Sequence, residues 1–149
     1  MYQLPVFHNP ELLLQALTHS SYVNEHPTAG EDNERMEHLG DAMLGSVVTT
    51  MLYERCPQFK EGQLTEARKT LVENKKLAKV ARLLQLGEHL RLGRGEELQG
   101  GRNKEKNLSG AFEAVIGAYF LDSGYEEVTA YIQQLFPQML GALTATACC

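Results

Sequence analysis

Apolar positions recur every three to four residues along most of the chain, and no stretch alternates in the manner of a strand. Asn9-Pro10 offers a helix start, with Leu13, Leu14 and Leu17 on one side of the segment from Glu11 to Leu17. The run from His26 to Asn33 reads as a loop. A long helix is predicted from Glu34 to Arg55, where Pro57 stops it. Met36, Leu39, Met43, Val47 and Met51 give it a three-to-four spacing. Gln63 to Leu86 is helical, with a break near Asn74 as cap of a second piece. Leu86 to Lys106 is glycine-rich and basic, and reads as a connector. A helix from Asn107 to Leu121 ends at Ser123-Gly124, and a last one covers Tyr125 to Leu140. Residues 1–140 therefore read as one all-α domain, a bundle, and 141–149 as a C-terminal tail.

The 149 residues suit a single core, and 43% hydrophobic with 22% charged is ordinary globular composition. Disordered and collagen-like chains are excluded. No apolar run approaches the ~20 residues of a membrane span. The start lacks the basic and apolar regions of a signal peptide. Cys56 and the adjacent Cys148 and Cys149 make no disulfide framework. A reducing compartment is expected: the cytoplasm, or an organelle if a targeting segment was removed.

The net charge of −5 changes meaning once its distribution is seen. Twelve of the 14 Lys and Arg lie between Lys60 and Lys106, a window of net +5, against −10 elsewhere. A basic half and an acidic half suit a phosphate track beside a metal site, although solvated helix faces look the same.

Glu34, Glu37 and Asp41 fall within about 60° of one another on their helix. Acids favour a first helical turn, which accounts for Glu34 and Glu37 but poorly for Asp41, two turns in. From Ala42 to Tyr53 no residue is charged, so Asp41 is expected at the edge of a buried stretch. Glu113 is the one charged residue from Asn107 to Leu121, on a helix that is apolar on most sides. A buried carboxylate needs a partner or a cation. Two readings stay open: a salt bridge, for instance to Arg35 or Arg68, or an all-oxygen site for Mg²⁺ or Mn²⁺. Such a metal site suits phosphodiester hydrolysis.

These residues carry a family pattern. Asn33 to Leu44 (NERMEHLGDAML) resembles the signature stretch of the ribonuclease III family. Ala16 to Tyr22, Leu71 to Ala78, Leu90 to Glu97 and Phe112 to Ala118 resemble its other motifs in order and spacing, from about Asn9 to Pro137. The resemblance implies a helical endonuclease domain over 1–140 that acts on double-stranded RNA as a homodimer with Mg²⁺, Mn²⁺ substituting. Structured RNA such as ribosomal precursors would be the substrate. By position, Glu37, Asp41 and Glu113 would be metal ligands, and Glu34 an acidic helper in catalysis at the RNA-facing end.

Three departures accompany the resemblance. The family usually places an aspartate three residues before its last glutamate, where this chain has Gly110. That raises a second reading, an impaired or inactive relative that binds RNA or a ribonucleoprotein. His38 stands where the family prefers an aromatic at the dimer interface. The chain also shows no double-stranded RNA-binding domain, so affinity is expected from the catalytic domain or a separate RNA-binding protein. Arg68, Lys69, Lys75, Lys76, Arg94 and Arg102 are the leading phosphate contacts, with Lys79, Arg91, Lys104 and Lys106 beside them. Affinity for an RNA duplex should then fall at least about tenfold between roughly 50 and 200 mM salt, measured by gel shift. A flat salt response would remove the basic window from the interface.

Overall fold

The computed structural model describes residues 2–140; the expected tail at 141–149, with Cys148 and Cys149, lies outside them. Among the described residues the fold is all-helical, with one isolated parallel bridge between Thr18 and Arg91. In chain order the helices are α1 (Pro10–Ala16), α2 (Ser20–Glu25), α3 (Glu34–Arg55), α4 (Glu61–Leu71) and α5 (Asn74–Leu83). They continue as α6 (Leu86–His89), α7 (Arg94–Leu98), α8 (Glu105–Ser123) and α9 (Tyr125–Leu140). A short 3-10 turn, Gly101–Asn103, joins α7 to α8.

Local chemistry sets several ends. Asn9 caps α1 by accepting from the Glu11 N–H at 3.0 Å, with Pro10 in the first turn. The start of α3 is held differently. Asp32 accepts from the Glu34 N–H at 3.0 Å, while the buried Asn33 side chain donates to the Ala16 carbonyl at 2.9 Å. Asn74 does not cap α5; Glu73 holds that position, and Asn74 Oδ1 accepts from the Ser109 hydroxyl of α8 at 3.0 Å.

The long central helices α3 and α8 pack on each other, with α1, α5 and α9 around α8. One core cluster includes Leu44, Val48, Leu52, Leu77, Phe112, Ile116, Ile132 and Phe136. The buried stripe of α3 is Met36, Gly40, Leu44, Val47, Val48, Met51 and Leu52. Leu39 and Met43, expected in it, are only half-buried. The reason is Gly40, whose bare backbone turns toward α8. A Cβ there would fall on the Glu113 carbonyl, and one at Gly117 would fall on the Met36 carbonyl. Two glycines thus let the backbones of α3 and α8 nearly touch.

One further expectation is corrected. The connector from Leu86 to Lys106 is folded into α6, α7 and the 3-10 turn. Arg102 organises it, donating to the carbonyls of Gly87 at 2.8 Å and Leu90 at 2.9 Å and pairing with Glu97 at 2.7 Å. Cys56 is buried in the core cluster beside Leu52.

Gly40→Ala should destabilise the fold by about 3 kcal/mol, because helix backbone must move. Gly45→Ala, on the same helix but facing open space, should be neutral or gain up to about 1 kcal/mol. Urea unfolding of both variants checks the contrast.

Candidate active site

The Gly40–Gly117 crossing brings the acidic side of α3 against α8. Glu34, Glu37 and Asp41 then line one cleft with Glu113, a space of about 680 Å³. Asp41 and Glu34 are exposed, while Glu37 and Glu113 are half-buried. The four acids predicted from sequence are therefore gathered in one place. The reason offered for Asp41 needs correcting, since α3 beyond it is not buried all round. Ala42, Ser46, Thr49, Thr50 and Tyr53 form an uncharged exposed side.

The electrostatics are those of crowded like charges. Burial, and then the charges of Asp41 and Glu37, push the Glu113 carboxyl up from 4.5 to about 8. Glu37 is also raised, by burial first and then by Glu34 and Asp41, with Lys106 and His19 opposing. Neither expected arginine answers Glu113. Arg35 pairs with Glu31 at 3.9 Å, and Arg68 lines a separate groove on the far side of Asp41. Among the described residues no hydrogen bond or ion pair reaches the Glu113 carboxylate. The salt-bridge reading of Glu113 thus finds no support in this structure.

Among the described residues no three His, Cys, Asp or Glu side chains already stand close enough to hold a metal ion. The donor set nevertheless fits a hard divalent cation: all oxygen, mutually repelling, with one half-buried acid left unanswered.

Two further side chains, His19 and Glu96, belong to the cleft. His19 lines it, its Nδ1 accepting from the Ser21 N–H at 3.1 Å. The backbone around it is fixed by His19 N–H donating to Arg91 at 3.0 Å and Arg91 N–H donating to Leu17 at 2.8 Å. Glu96 also faces in, holding Lys104 at 2.8 Å and Asn107 at 2.9 Å. Those contacts keep its carboxyl below the usual range. His19 had a visible signal, its place beside Thr18 in a motif. Glu96 also stood inside a motif, Leu90 to Glu97, but the connector's fold that turns it into the cleft was not legible.

The predicted basic residues separate into two groups. Arg68 and Lys69 are exposed and flank Asp41 along the groove beside α4, Lys69 pairing with Glu66 at 3.2 Å. Lys106 is exposed on the opposite wall. Lys75, Lys79 and Arg94 are exposed and Lys76 half-buried, outside the cleft lining. Arg102 spends its guanidinium on the connector, and Arg91 lies over the Tyr22 ring at 4.3 Å. Both side chains are engaged within the fold and remain half-exposed.

A family profile described as Ribonuclease-III-like matches residues 9–139. The chain belongs to that family. Curated Ribonuclease-III-like relatives agree. It is 47% identical over 136 residues to Ribonuclease 3 of Symbiobacterium thermophilum, covering 91% of this chain and 57% of that protein. It is 50% identical over 130 residues to Ribonuclease 3 of Oleidesulfovibrio alaskensis, covering 87% and 57%. The chain thus spans less than two thirds of these relatives. The nuclease domain of ribonuclease III from Campylobacter jejuni, whose structure describes flexibility in a region involved in dimer formation, superposes with a TM-score of 0.83. That match is at 38% identity over 89% of this chain and 90% of that one. Dicer from Pichia stipitis matches with a TM-score of 0.71 at 26% identity, over 94% and 60%. The helical fold is the nuclease fold of the Ribonuclease-III-like family. No described helix is long and apolar enough to cross a membrane.

The raised Glu113 carboxyl has a pH consequence for the metal-free protein. Its pKa is higher folded than unfolded, so its contribution is fully present below about pH 4.5 and is lost as pH rises through about 8. Between about pH 5 and pH 8.5, in chelator, stability should fall by on the order of 2 kcal/mol, allowing for solvent screening. Glu113→Gln should flatten that slope in denaturant titrations. An unchanged slope would mean that Glu113 is already charged and answered.

Proposed function

We propose that the chain is a divalent-metal-dependent endonuclease for double-stranded RNA, acting on structured RNA such as ribosomal precursors. The observation that carries this reading is the unanswered Glu113 facing Glu37 and Asp41 in a cleft flanked by basic residues. The family membership and the solved nuclease-domain relative support it. Glu37, Asp41 and Glu113 would hold Mg²⁺, or Mn²⁺ in its place. A bound ion of this kind lowers the pKa of its water and stabilises charge on a phosphodiester. Glu34, exposed at the rim, biases the entrance toward cations. Lys106 on one wall and Arg68 and Lys69 along the adjoining groove offer phosphate contacts on either side of Asp41. Lys75, Lys76 and Arg94 extend that basic surface. With no aromatic platform interleaved, recognition would be by duplex shape and backbone. A cytoplasmic setting goes with this substrate, as does a separate RNA-binding partner.

The working form would be a homodimer. A groove of about 630 Å³ beside the cleft has Leu12, Met36, Leu39 and Leu121 on its walls together with His38, Gln15, Glu31, Glu34 and Arg35, and Leu121 is 55% exposed. Its exposed area is mostly apolar, and in the proposed dimer a second copy would cover His38.

The test is a gel assay on a long RNA duplex with Mg²⁺, with Mn²⁺ and with chelator, alongside Glu113→Ala. Metal-dependent cutting that falls at least about a hundredfold in the variant is expected. A duplex that shifts but stays uncut under every metal condition would instead make the protein an RNA-binding relative.

A further inference from the structure

Gly110 lies one turn before Glu113 on α8, on the same side of the helix and buried. The three heavy atoms nearest to a Cβ built at Gly110 all belong to one carboxylate: Glu37 Oε2 at 2.7 Å, Cδ at 3.0 Å and Oε1 at 3.3 Å. The volume of a side chain at 110 is therefore filled by an acid reaching across from α3. The crossing at Gly40 and Gly117 makes this reach short, because it holds the two backbones in contact one to two turns away. Lys106 and Asn107, at the start of the same helix, line the same cleft.

We propose that Gly110 is a positioning residue: its bare backbone seats the Glu37 carboxylate, which thereby supplies the cation site with an acid on the N-terminal side of Glu113. The helix gives up stability at Gly110, since glycine is a poor interior residue. In return the site gains a ligand from α3 where α8 has none. Residue 110 is thus an occupied seat, and not a gap. This inference rests on the metal-dependent reading above.

The obstacle to a side chain at 110 is the far end of a flexible glutamate. Gly110→Ala should therefore fold, with the carboxylate pushed away. Calorimetric titration of the full chain with Mn²⁺ alone should show about tenfold weaker binding in Gly110→Ala. Denaturant midpoints should show that it remains folded. In a Glu37→Ala background, which empties the seat, adding Gly110→Ala should change Mn²⁺ affinity no further. Glu37→Ala combined with Gly110→Asp should recover most of the affinity lost in Glu37→Ala, because the carboxylate returns to the same place from the other helix. The double variants keep the test intact if Gly110→Ala alone does not fold. Parental affinity in Gly110→Ala overturns the proposal, as does Gly110→Asp tightening binding with Glu37 still present. Glu113→Ala separates the two levels. If it weakens Mn²⁺ binding while Gly110→Ala does not, the nuclease reading stands and only the seat falls. If the parent takes up no Mn²⁺, both fall.

Discussion

The contact between the backbones of α3 and α8 at Gly40 and Gly117 is the constraint on which the rest of the structure depends. Helices normally keep 8–10 Å between their axes because side chains stand between them. Removing the side chains at the crossing lets carbonyls meet α-carbons. The crossing brings Glu37 and Asp41 of α3 into one cleft with Glu113 of α8. The core then follows the crossing, with Leu44, Val48, Phe112 and Ile116 closing around it.

That closeness conflicts with electrostatics. Three carboxylates face one another, and burial pushes Glu113 upward to about 8. A fold selected for stability alone would place an arginine there, yet Arg35 and Arg68 are directed elsewhere. Violations of this kind are expected at functional sites. The surrounding groups are held firmly: Arg102 ties the connector together, Glu96 fixes Lys104 and Asn107, and the Thr18–Arg91 bridge fixes the wall carrying His19. Repulsion is confined to the acids, and the scaffold around them is satisfied.

The long elements were legible in the sequence. The bounds of α3 match the prediction, because Pro57 and the periodic apolar residues constrain that helix. α8 differs by about two residues at each end, which is the usual uncertainty of helix boundaries. The four- to six-residue helices α2, α6 and α7 were not legible, since one turn carries no period and their stability comes from packing. The exact stripe of α3 was also hidden. A hydrophobicity pattern gives no weight to glycine, so it favoured Leu39 and Met43 over Gly40.

The sequence alone determined the all-helical class, the acids at 34, 37, 41 and 113 and the family motifs that join them. Each of those rests on local spacing or on residue identity. Tertiary structure alone decided that Glu113 meets no cationic partner among the described residues, that Arg102 ties the connector together, and that Gly110 lies beneath Glu37. Those facts depend on which side chains from distant segments share a space. Spacing along one helix cannot specify what the neighbouring helix brings to it.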